Sequence, residues 1–295
     1  MSVYHEGSRA LQEQTGLREA ADHVGRAVGD GIKPVAAAFL ELQPLLIVGA
    51  ADPMTGRVWA SPLSGRPGFV RATGPRQISV TGGPLHGDPL AAALARPDAA
   101  VATLALDPRT RRRMRLNGRS RPVDRGLAIT AERVFANCPK YIQRRADYRW
   151  DPDARPGPPD HGDELTSRQA AFVAASDTFF LATTGPSGAE ASHRGGNPGF
   201  VRPTSRTELT WPDYPGNAMF LSLGNLAVNP RAGLLFLDWT DGTALQLTGR
   251  TQTESAADGT RRVRFTVAHT VETPGAVPLR WAEPEFSPAN PASAG

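Results

Sequence analysis

Two stretches of the chain repeat each other, and their spacing decides the fold. Residues 60–72 read ASPLSGRPGFVRA, and residues 191–203 read ASHRGGNPGFVRP. They share Ala-Ser, a glycine and Pro-Gly-Phe-Val-Arg at a constant offset of 131 residues. A repeat at one long, fixed offset predicts two copies of the same structural unit.

The repeat continues downstream of these stretches. Asp107 matches Asp238 at the same offset, and Asn-Gly-Arg at 117–119 matches Thr-Gly-Arg at 248–250. Each copy reads as about six short strands, bounded by Gly and Pro, with one inserted helix. That element count predicts a mainly β fold and suits a small closed or split β-barrel, because closure removes exposed edges.

Capping residues predict where the inserted helices begin. The first helix is predicted over 88–99, with Asp88 as its N-cap and Pro89 at its first position. The second is predicted over 217–230, with Asn217 as its N-cap. A further helical region is predicted over about 8–29, where apolar residues recur at helical spacing.

These patterns divide the chain into four parts. Residues 1–150 are predicted to hold the N-terminal helix and the first barrel copy, and residues 164–283 the second copy. Residues 151–163, DPDARPGPPDHGD, are polar and Pro-rich and are predicted to be the linker. Residues 284–295 are predicted to be a flexible tail.

Composition narrows the function classes. Of the 295 residues 40% are hydrophobic, and the net charge is +4, which favours anionic partners only mildly. Cys138 is the only cysteine, so the sequence predicts neither an intrachain disulfide nor a metal site. No apolar run approaches ~18 residues and the N-terminus lacks signal-peptide features, so we expect a soluble cytoplasmic protein without membrane contact.

The most basic segment is DPRTRRRMRLNGR, residues 107–119. Arg113 and Arg115 alternate with apolar residues, which predicts a half-buried strand with a solvated face. Contact with an anion is the alternative. The segment favours nucleic-acid binding less than contact with a small anion, because no aromatic residues interleave with these arginines.

The two copies differ where a binding site would lie. Residues 192–195 read Ser-His-Arg-Gly, whereas the matching residues 61–64 read Ser-Pro-Leu-Ser. A shared scaffold with unshared polar groups indicates that one copy carries a site. Arg194 suits a phosphate or carboxylate, and Gly195 lets backbone amides approach an anion. The alternative is a surface turn with incidental charge.

Two further segments offer polar groups. Ser222 and Asn225 lie on one face of the second predicted helix, where buried polar side chains need either a ligand or backbone carbonyls. The helix start at Asn217 favours phosphate. Lys140 and Gln143 lie in VFANCPKYIQRR (134–145), which either reaches across to the second copy's cofactor or forms a short helix with an exposed basic side.

Together these motifs resemble the pyridoxamine 5′-phosphate oxidase-like flavoproteins, and more narrowly their bacterial two-copy branch. The resemblance rests on ASHRGGNPGFVR, LTWPDYPGNAMFLSLGNLAVNPRAGLLFLDW and LTGR, with YHEGSRALQ and NCPKYIQ earlier in the chain. It implies tandem FMN-binding split β-barrels that form an intrachain pseudo-dimer, with the flavin between the barrels.

The resemblance also implies which residues form the site, and it places most of them in the second copy. His193 is then the candidate catalytic residue, a proton donor, because the unperturbed pKa of histidine lies near neutrality. The implied cofactor-binding residues are Ser192, His193, Arg194, Gly195, Asn217, Ser222 and Asn225, with Lys140 and Gln143 from the opposite copy.

The implied function is that of an FMN-dependent oxidoreductase with a small-molecule substrate. Residues 219–225, MFLSLGN, lack the Ser-Arg-Lys phosphate turn of the true oxidase, so its substrate is not carried over. NAD(P)H or a flavin reductase is the candidate electron donor, and a homodimer of pseudo-dimers is the candidate assembly. The alternatives are an F420-dependent reductase, a non-catalytic flavin- or haem-binding module, and a nucleic-acid-binding protein.

Overall fold

The structure is a computed structural model that describes residues 3–136, 138–216, 218–255 and 260–291. Two large antiparallel sheets dominate it, which confirms the predicted mainly β fold in a tandem arrangement. Among the described residues no helix has the length and apolar character needed to cross a membrane.

Helices precede the first sheet. They are α1 (Glu6–Gln14), α2 (Arg18–Gly25) and α3 (Pro34–Glu41). The single helical region predicted over about 8–29 is therefore two helices. The break lies at Thr15 and Gly16, where Gly16 adopts a φ of +67° that continues neither helix.

The first sheet has seven strands with one short helix between the fourth and fifth. In chain order these elements are β1 (Leu45–Ala51), β2 (Val58–Ser64), β3 (Val70–Gly74), β4 (Gln77–Thr81), α4 (Ala91–Leu94), β5 (Ala99–Asp107), β6 (Arg112–Val123) and β7 (Gly126–Ala136). The helix is shorter than predicted. Its N-cap is Leu90, with no side-chain capping bond, so the predicted cap at Asp88 and first position at Pro89 are wrong. Asp88 instead accepts from the backbone N–H of Leu90 at 2.8 Å, in the turn before the helix.

Three short strands connect the two sheets: β8 (Arg144–Arg145), β9 (Tyr148–Trp150) and β10 (Asp160–Gly162). The second half then follows with α5 (Ser167–Ala175), β11 (Thr178–Gly185), β12 (Gly188–Gly195), β13 (Arg202–Pro203), β14 (Glu208–Asp213), α6 (Leu221–Val228), β15 (Arg231–Leu237), β16 (Ala244–Ser255), β17 (Arg261–Thr273), β18 (Leu279–Trp281) and β19 (Pro284–Glu285).

Both sheets have the same strand order. The first runs β2-β1-β5-β6-β7-β4-β3, and the second runs β12-β11-β15-β16-β17-β14-β13, with β10 added beside β17. Within the described residues each sheet is an open path of strands rather than a closed ring. The repeated order agrees with the sequence repeat, while an origin by duplication stays a prediction.

The repeated Gly-Arg motif marks the same irregularity in both sheets. The register of β6 shifts at Gly118 and that of β16 shifts at Gly249. A Cβ atom on Gly118 would lie 1.9 Å from the carbonyl oxygen of Thr130, and one on Gly249 would lie 2.0 Å from that of Thr266. Each bulge therefore requires glycine, which explains why the motif recurs.

Each sheet surrounds its own hydrophobic core, and a third core lies between the sheets. The third core joins β1, β2 and β5 to β11, β12 and β15; its members include Ile47, Ala60, Leu104, Phe180, Ala191 and Leu235. Contact is close, since a Cβ atom on Gly233 would lie 2.5 Å from the Cα of Trp59. The two halves therefore pack face to face.

Helix α1, which the sequence analysis assigned to the first half, packs on α6 of the second. Gly7 approaches Gly224 so closely that a Cβ atom on Gly7 would lie 2.4 Å from its carbonyl oxygen. Gln12 donates to the carbonyl oxygen of Met219 at 3.0 Å. The predicted boundary at residue 150 therefore does not separate the contacts of the two halves.

The predicted linker and tail also differ from the structure. Asp160–Gly162, in the predicted linker 151–163, pairs with β17 and so extends the second sheet. Pro284–Glu285, at the start of the predicted flexible tail 284–295, pairs with Arg144–Arg145. Polar contacts hold the tail as far as Pro291, and residues 292–295 lie outside the described residues.

Candidate functional site

A cleft lies where β6 of the first half faces β12 of the second. It is lined by Leu104, Arg113, Arg115, Cys138, Lys140, Tyr141, Ser192, His193, Arg194, Gly195, Phe200, Pro212, Tyr214, Pro215, Gly216 and Ser222. Both halves contribute to it, so the site depends on their packing.

His193 lies on β12 with its imidazole buried against the edge of the Phe180 ring, 6.1 Å between centroids. Burial first, and then the charges of Arg113, Arg194 and Arg145, hold the pKa of His193 well below its usual range. The ring is therefore neutral at pH 7. The sequence predicted that His193 has a near-neutral pKa and acts as a proton donor. That pKa is wrong, because burial and the neighbouring arginines disfavour the imidazolium.

The contacts of His193 assign its tautomer. Arg113 Nη1 lies 3.0 Å from His193 Nδ1. Because a guanidinium only donates, Nδ1 accepts and the proton of the neutral ring lies on Nε2. His193 Nε2 is buried and has no hydrogen-bond partner among the described residues. The ring therefore offers one unused N–H donor.

Arg113 reaches the cleft from the first half. Its Nη2 donates to the carbonyl oxygen of Cys138 at 2.8 Å, while its buried Nε has no partner among the described residues. No carboxylate of the described chain forms an ion pair with it. Burial, with repulsion from Arg115 and Arg194, lowers the pKa of Arg113 to about 10. Arg113 is therefore a cation without a counter-ion.

Arg194 faces the cleft from β12. Its Nη1 donates to Asp213 Oδ1 at 2.7 Å, and Arg261 bonds the other oxygen of that carboxylate at 3.1 Å. Two arginines thus share one carboxylate. The Nε of Arg194 is buried and has no partner among the described residues.

A second shared carboxylate lies deeper between the halves. Glu190 of β12 is bonded by Arg115 and forms an ion pair with Arg133 at 2.8 Å. Burial has the largest effect on the pKa of Arg115 and lowers it. The charge of Glu190 raises this pKa, and the charges of Arg133 and Arg194 lower it. Arg115 is therefore buried at the interface and does not lie on the solvated face that the sequence predicted for it.

Two tyrosines form the rim of the cleft. Tyr141 from the first half and Tyr214 from the second have ring centroids 5.1 Å apart, and the Tyr141 hydroxyl donates to the carbonyl oxygen of Pro215 at 2.7 Å. Burial raises the pKa of both hydroxyls. Lys140 adds a cation beside Gly216.

Six of the predicted site residues line this cleft: Lys140, Ser192, His193, Arg194, Gly195 and Ser222. The hydroxyl of Ser222 donates to that of Ser192 at 3.0 Å, which ties α6 to β12. A Cβ atom on Gly195 would lie 2.1 Å from the carbonyl oxygen of Tyr141. The glycine therefore lets the two walls meet.

Two predicted residues do not line the cleft. Asn225 bonds His5 at 2.9 Å and Thr183 at 3.1 Å, so it ties the N-terminal segment to α6. Gln143 is 1% exposed and bonds neighbouring chain segments instead. Asn217 lies outside the described residues. The helix predicted over 217–230 spans Leu221–Val228 and has Phe220 as its N-cap, so the prediction of Asn217 as N-cap is wrong.

The sequence analysis gives Arg113 contact with an anion only as the alternative to a solvated strand face, and it does not include Tyr141 or Tyr214 among the site residues. A comparison of the two copies contained the missing signal. Arg113 and Arg115 stand where the second copy has Ala244 and Gln246, so these charges are not part of the shared scaffold.

The equivalent place in the other half lacks these groups. The counterparts of His193, Arg194 and Arg113 are Pro62, Leu63 and Ala244. A buried hydrogen-bond network occupies this place. Ser61 donates to Asp88 at 2.7 Å, and Gln246 Nε2 lies 2.8 Å from the Ser61 hydroxyl and 3.3 Å from the other oxygen of Asp88.

One family model matches the second half of the chain. Residues 165–280 match the model described as pyridoxamine 5′-phosphate oxidase, which is less than half of the chain. The second half of the chain is therefore similar to that family. The matched region contains β12 and α6, whereas Arg113 and Lys140 precede it.

Three similar solved structures each match between 32% and 39% of the chain. Group A Streptococcus HupZ is 9% identical, with a TM-score of 0.28 over 35% of this chain and 90% of its own. A FAD-binding protein from Mesorhizobium loti is 11% identical, with a TM-score of 0.30 over 39% and 96%. A Clostridium acetobutylicum protein related to general stress protein 26 is 15% identical, with a TM-score of 0.25 over 32% and 78%. No curated protein matches the chain.

Proposed function

We propose that the cleft between the two halves binds FMN and that the protein is a flavin-dependent oxidoreductase acting on a small molecule. The observation that carries this proposal is a set of four buried donors on residues that line the cleft: the Nε atoms of Arg113, Arg115 and Arg194 and the Nε2 of His193. None has a partner among the described residues. Buried donors without acceptors are costly, so a ligand rich in acceptors accounts for them.

The charge of the cleft also fits an anionic group such as the phosphate of FMN. Asp213 is shared by two arginines and Glu190 by two more, so neither carboxylate neutralises its neighbours fully. Arg113 adds a further cation without a carboxylate partner among the described residues. Arginine in this arrangement recognises phosphate or carboxylate.

The residues of the cleft then have different roles in binding the flavin. When bound, the flavin supplies the redox chemistry, and the protein supplies orientation and charge. Arg113 and Arg194 hold anionic groups, and Lys140 attracts them to the cleft. His193 donates a hydrogen bond from Nε2 as a neutral ring. Tyr141 and Tyr214 cover the entrance and exclude water.

We further propose one FMN site per chain. The place equivalent to the cleft in the other half is lined by Pro62, Leu63 and Ala244, none of which offers a charge. The bonds among Ser61, Asp88 and Gln246 use the polar groups that lie there. NAD(P)H or a flavin reductase is the proposed electron donor.

The experiment that tests the function is the visible spectrum and the mass of any ligand released from purified protein. The two-band spectrum of an oxidised flavin and the mass of FMN, at one equivalent per chain, would support the proposal. Ligand-free protein would be titrated with FMN. A deazaflavin band would identify F420, and a Soret band would identify haem. Either result, or failure to bind FMN, would contradict the proposal.

A further inference from the structure

Gln143 joins the two walls of the cleft without lining it. Its Nε2 donates to the carbonyl oxygen of Tyr141 at 3.1 Å and to that of Gly196 at 3.2 Å. Tyr141 belongs to the wall from the first half, and Gly196 directly follows Gly195 on the wall from the second. One side-chain amide therefore fixes the separation of both walls.

The C-terminal strap, which we define as residues 284–291, holds that amide in place. Gln143 Oε1 accepts from the backbone N–H of Ser287 at 2.8 Å and from Asn290 Nδ2 at 3.0 Å. The amide oxygen and nitrogen are thus both bonded at a buried position. Without the strap, the oxygen would lose both donors, and the amide could turn away from the walls.

The strap also contacts the second wall directly. Asn290 Nδ2 donates to Asn197 Oδ1 at 2.8 Å, and Asn197 Nδ2 donates to the carbonyl oxygen of Pro291 at 3.1 Å. Asn197 lies two residues after Gly195. The end of the strap is therefore bonded both to Gln143 and to the loop that follows β12.

The rest of the strap is held by one short strand pair and by polar contacts. Pro284–Glu285 pairs with Arg144–Arg145, and Arg111 donates to the carbonyl oxygen of Glu285 at 3.2 Å. The Glu285 side chain bonds Arg111 and Arg144, but it is 60% exposed, and exposed ion pairs contribute little to stability. Phe286 is 45% exposed as well. A segment with few buried apolar contacts opens more readily than the sheets, so the strap can open without unfolding either sheet.

We propose that Gln143 and the C-terminal strap are positioning elements of the cleft: the docked strap orients Gln143, which fixes the spacing of Tyr141 and Gly195 and slows release of the bound ligand. The binding of a ligand in the cleft rests on the proposed function. The coupling between the strap and the walls rests on the hydrogen bonds alone.

The test compares truncation after Glu283 with truncation after Pro291, a control that keeps the whole strap. The first truncation should speed FMN release about tenfold, the size expected when one or two neutral hydrogen bonds are lost, with little change in the association rate. In ligand-free protein it should also speed backbone hydrogen exchange in residues 141–143 and 195–197. The control should do neither.

A double-mutant cycle separates positioning from a general structural effect. Gln143→Met in the full chain should speed FMN release as much as the truncation does, and combining the two should add little further. Additive effects would overturn the proposal, and so would unchanged release and exchange in the truncated protein. If that protein fails to fold, Asn290→Ala, which removes one donor to Gln143, takes its place.

Failure of the proposed function would be distinguishable in the same experiment. If the full-length protein binds no FMN, the proposed function fails, and hydrogen exchange alone decides whether the strap positions the walls. If FMN binds but neither release nor exchange depends on the strap, the positioning proposal fails and the proposed function stands.

Discussion

Replacement of Arg113 by methionine should weaken ligand binding while leaving the ligand-free protein about as stable as before. Burial, with repulsion from Arg115 and Arg194, lowers the pKa of Arg113 from its usual value to about 10 in the folded protein. At 1.36 kcal/mol per pKa unit, this corresponds to a cost of about 3 kcal/mol for holding the cation in the cleft. Because Arg113 is only partly excluded from water, this figure is an upper bound.

The charge of Arg113 destabilises the folded protein at every pH below about 10. A base whose pKa is lowered by folding destabilises the folded protein wherever the base is charged, and the cost disappears only as the pH rises above about 10. Methionine removes the charge and keeps an apolar side chain of similar length. It also removes the bonds to His193 and Cys138, each worth about 1.5 kcal/mol because the donor is charged. These losses offset the gain, so the free energy of unfolding should change by less than about 1 kcal/mol.

The effect on binding has the opposite sign. An anion in the cleft would lose a hydrogen bond to a charged group, worth about 1.5 to 3 kcal/mol. The dissociation constant for FMN should therefore rise about 10- to 150-fold. Arg112→Met is the matched control, because Arg112 is exposed on the same strand and its replacement changes the net charge equally.

The assay is thermal unfolding of ligand-free protein together with FMN titration at one ionic strength. The control variant should resemble wild type in both measurements. The reasoning would be refuted if Arg113→Met bound FMN as tightly as wild type, or if it lost stability by several kcal/mol. The first result would remove Arg113 from the site, and the second would mean that the cation stabilises the fold.

The remaining predictions concern His193 and the two bulges. The imidazole of His193 should not titrate between pH 6 and 8 in NMR spectra, and a titration near pH 6.5 would contradict its burial beside the arginines. Because the unfolded chain binds a proton there and the buried ring does not, stability should fall as the pH drops below about 6.5, and His193→Phe should lose that dependence. Gly118→Ala should cost more than about 3 kcal/mol in chemical denaturation, because its Cβ would meet a backbone carbonyl, whereas Gly83→Ala, with open space around it, should cost under about 1 kcal/mol. Equal costs would show that the bulge tolerates a side chain.

The repeat made most of the fold predictable from the sequence. Period-2 patterning and turn residues recur at one offset, so each predicted strand could be checked against its counterpart. The elements that cross between the halves could not be predicted this way. The packing of α1 on α6 depends on the close approach of Gly7 and Gly224, which are distant in the sequence. Likewise, the strap is polar and Pro-rich, and its order comes from a short strand pair with Arg144–Arg145 and from hydrogen bonds to Gln143 and Asn197.

The site was predictable only on β12, where the residues differ from those at the matching positions of β2. His193 and Arg194 are recognisable because they stand where the first copy has Pro62 and Leu63. Arg113 was misread because alternation shows which side chains share a face of a strand, not what covers that face. Here the second half covers it. The resemblance implies that Gln143 binds the ligand. A single sequence does not reveal that its amide bonds backbone groups instead.

The asymmetry of the two halves follows from the cost of the site. A cation such as Arg113, held without a counter-ion, destabilises the protein that carries it. In a symmetric homodimer every residue appears at both equivalent places, so that cost would be incurred twice. In a single chain the two places can differ. The cleft carries Arg113, His193 and Arg194, and the equivalent place carries the hydrogen-bond network of Ser61, Asp88 and Gln246. This network can therefore stabilise the packing of the two halves, on which the cleft depends.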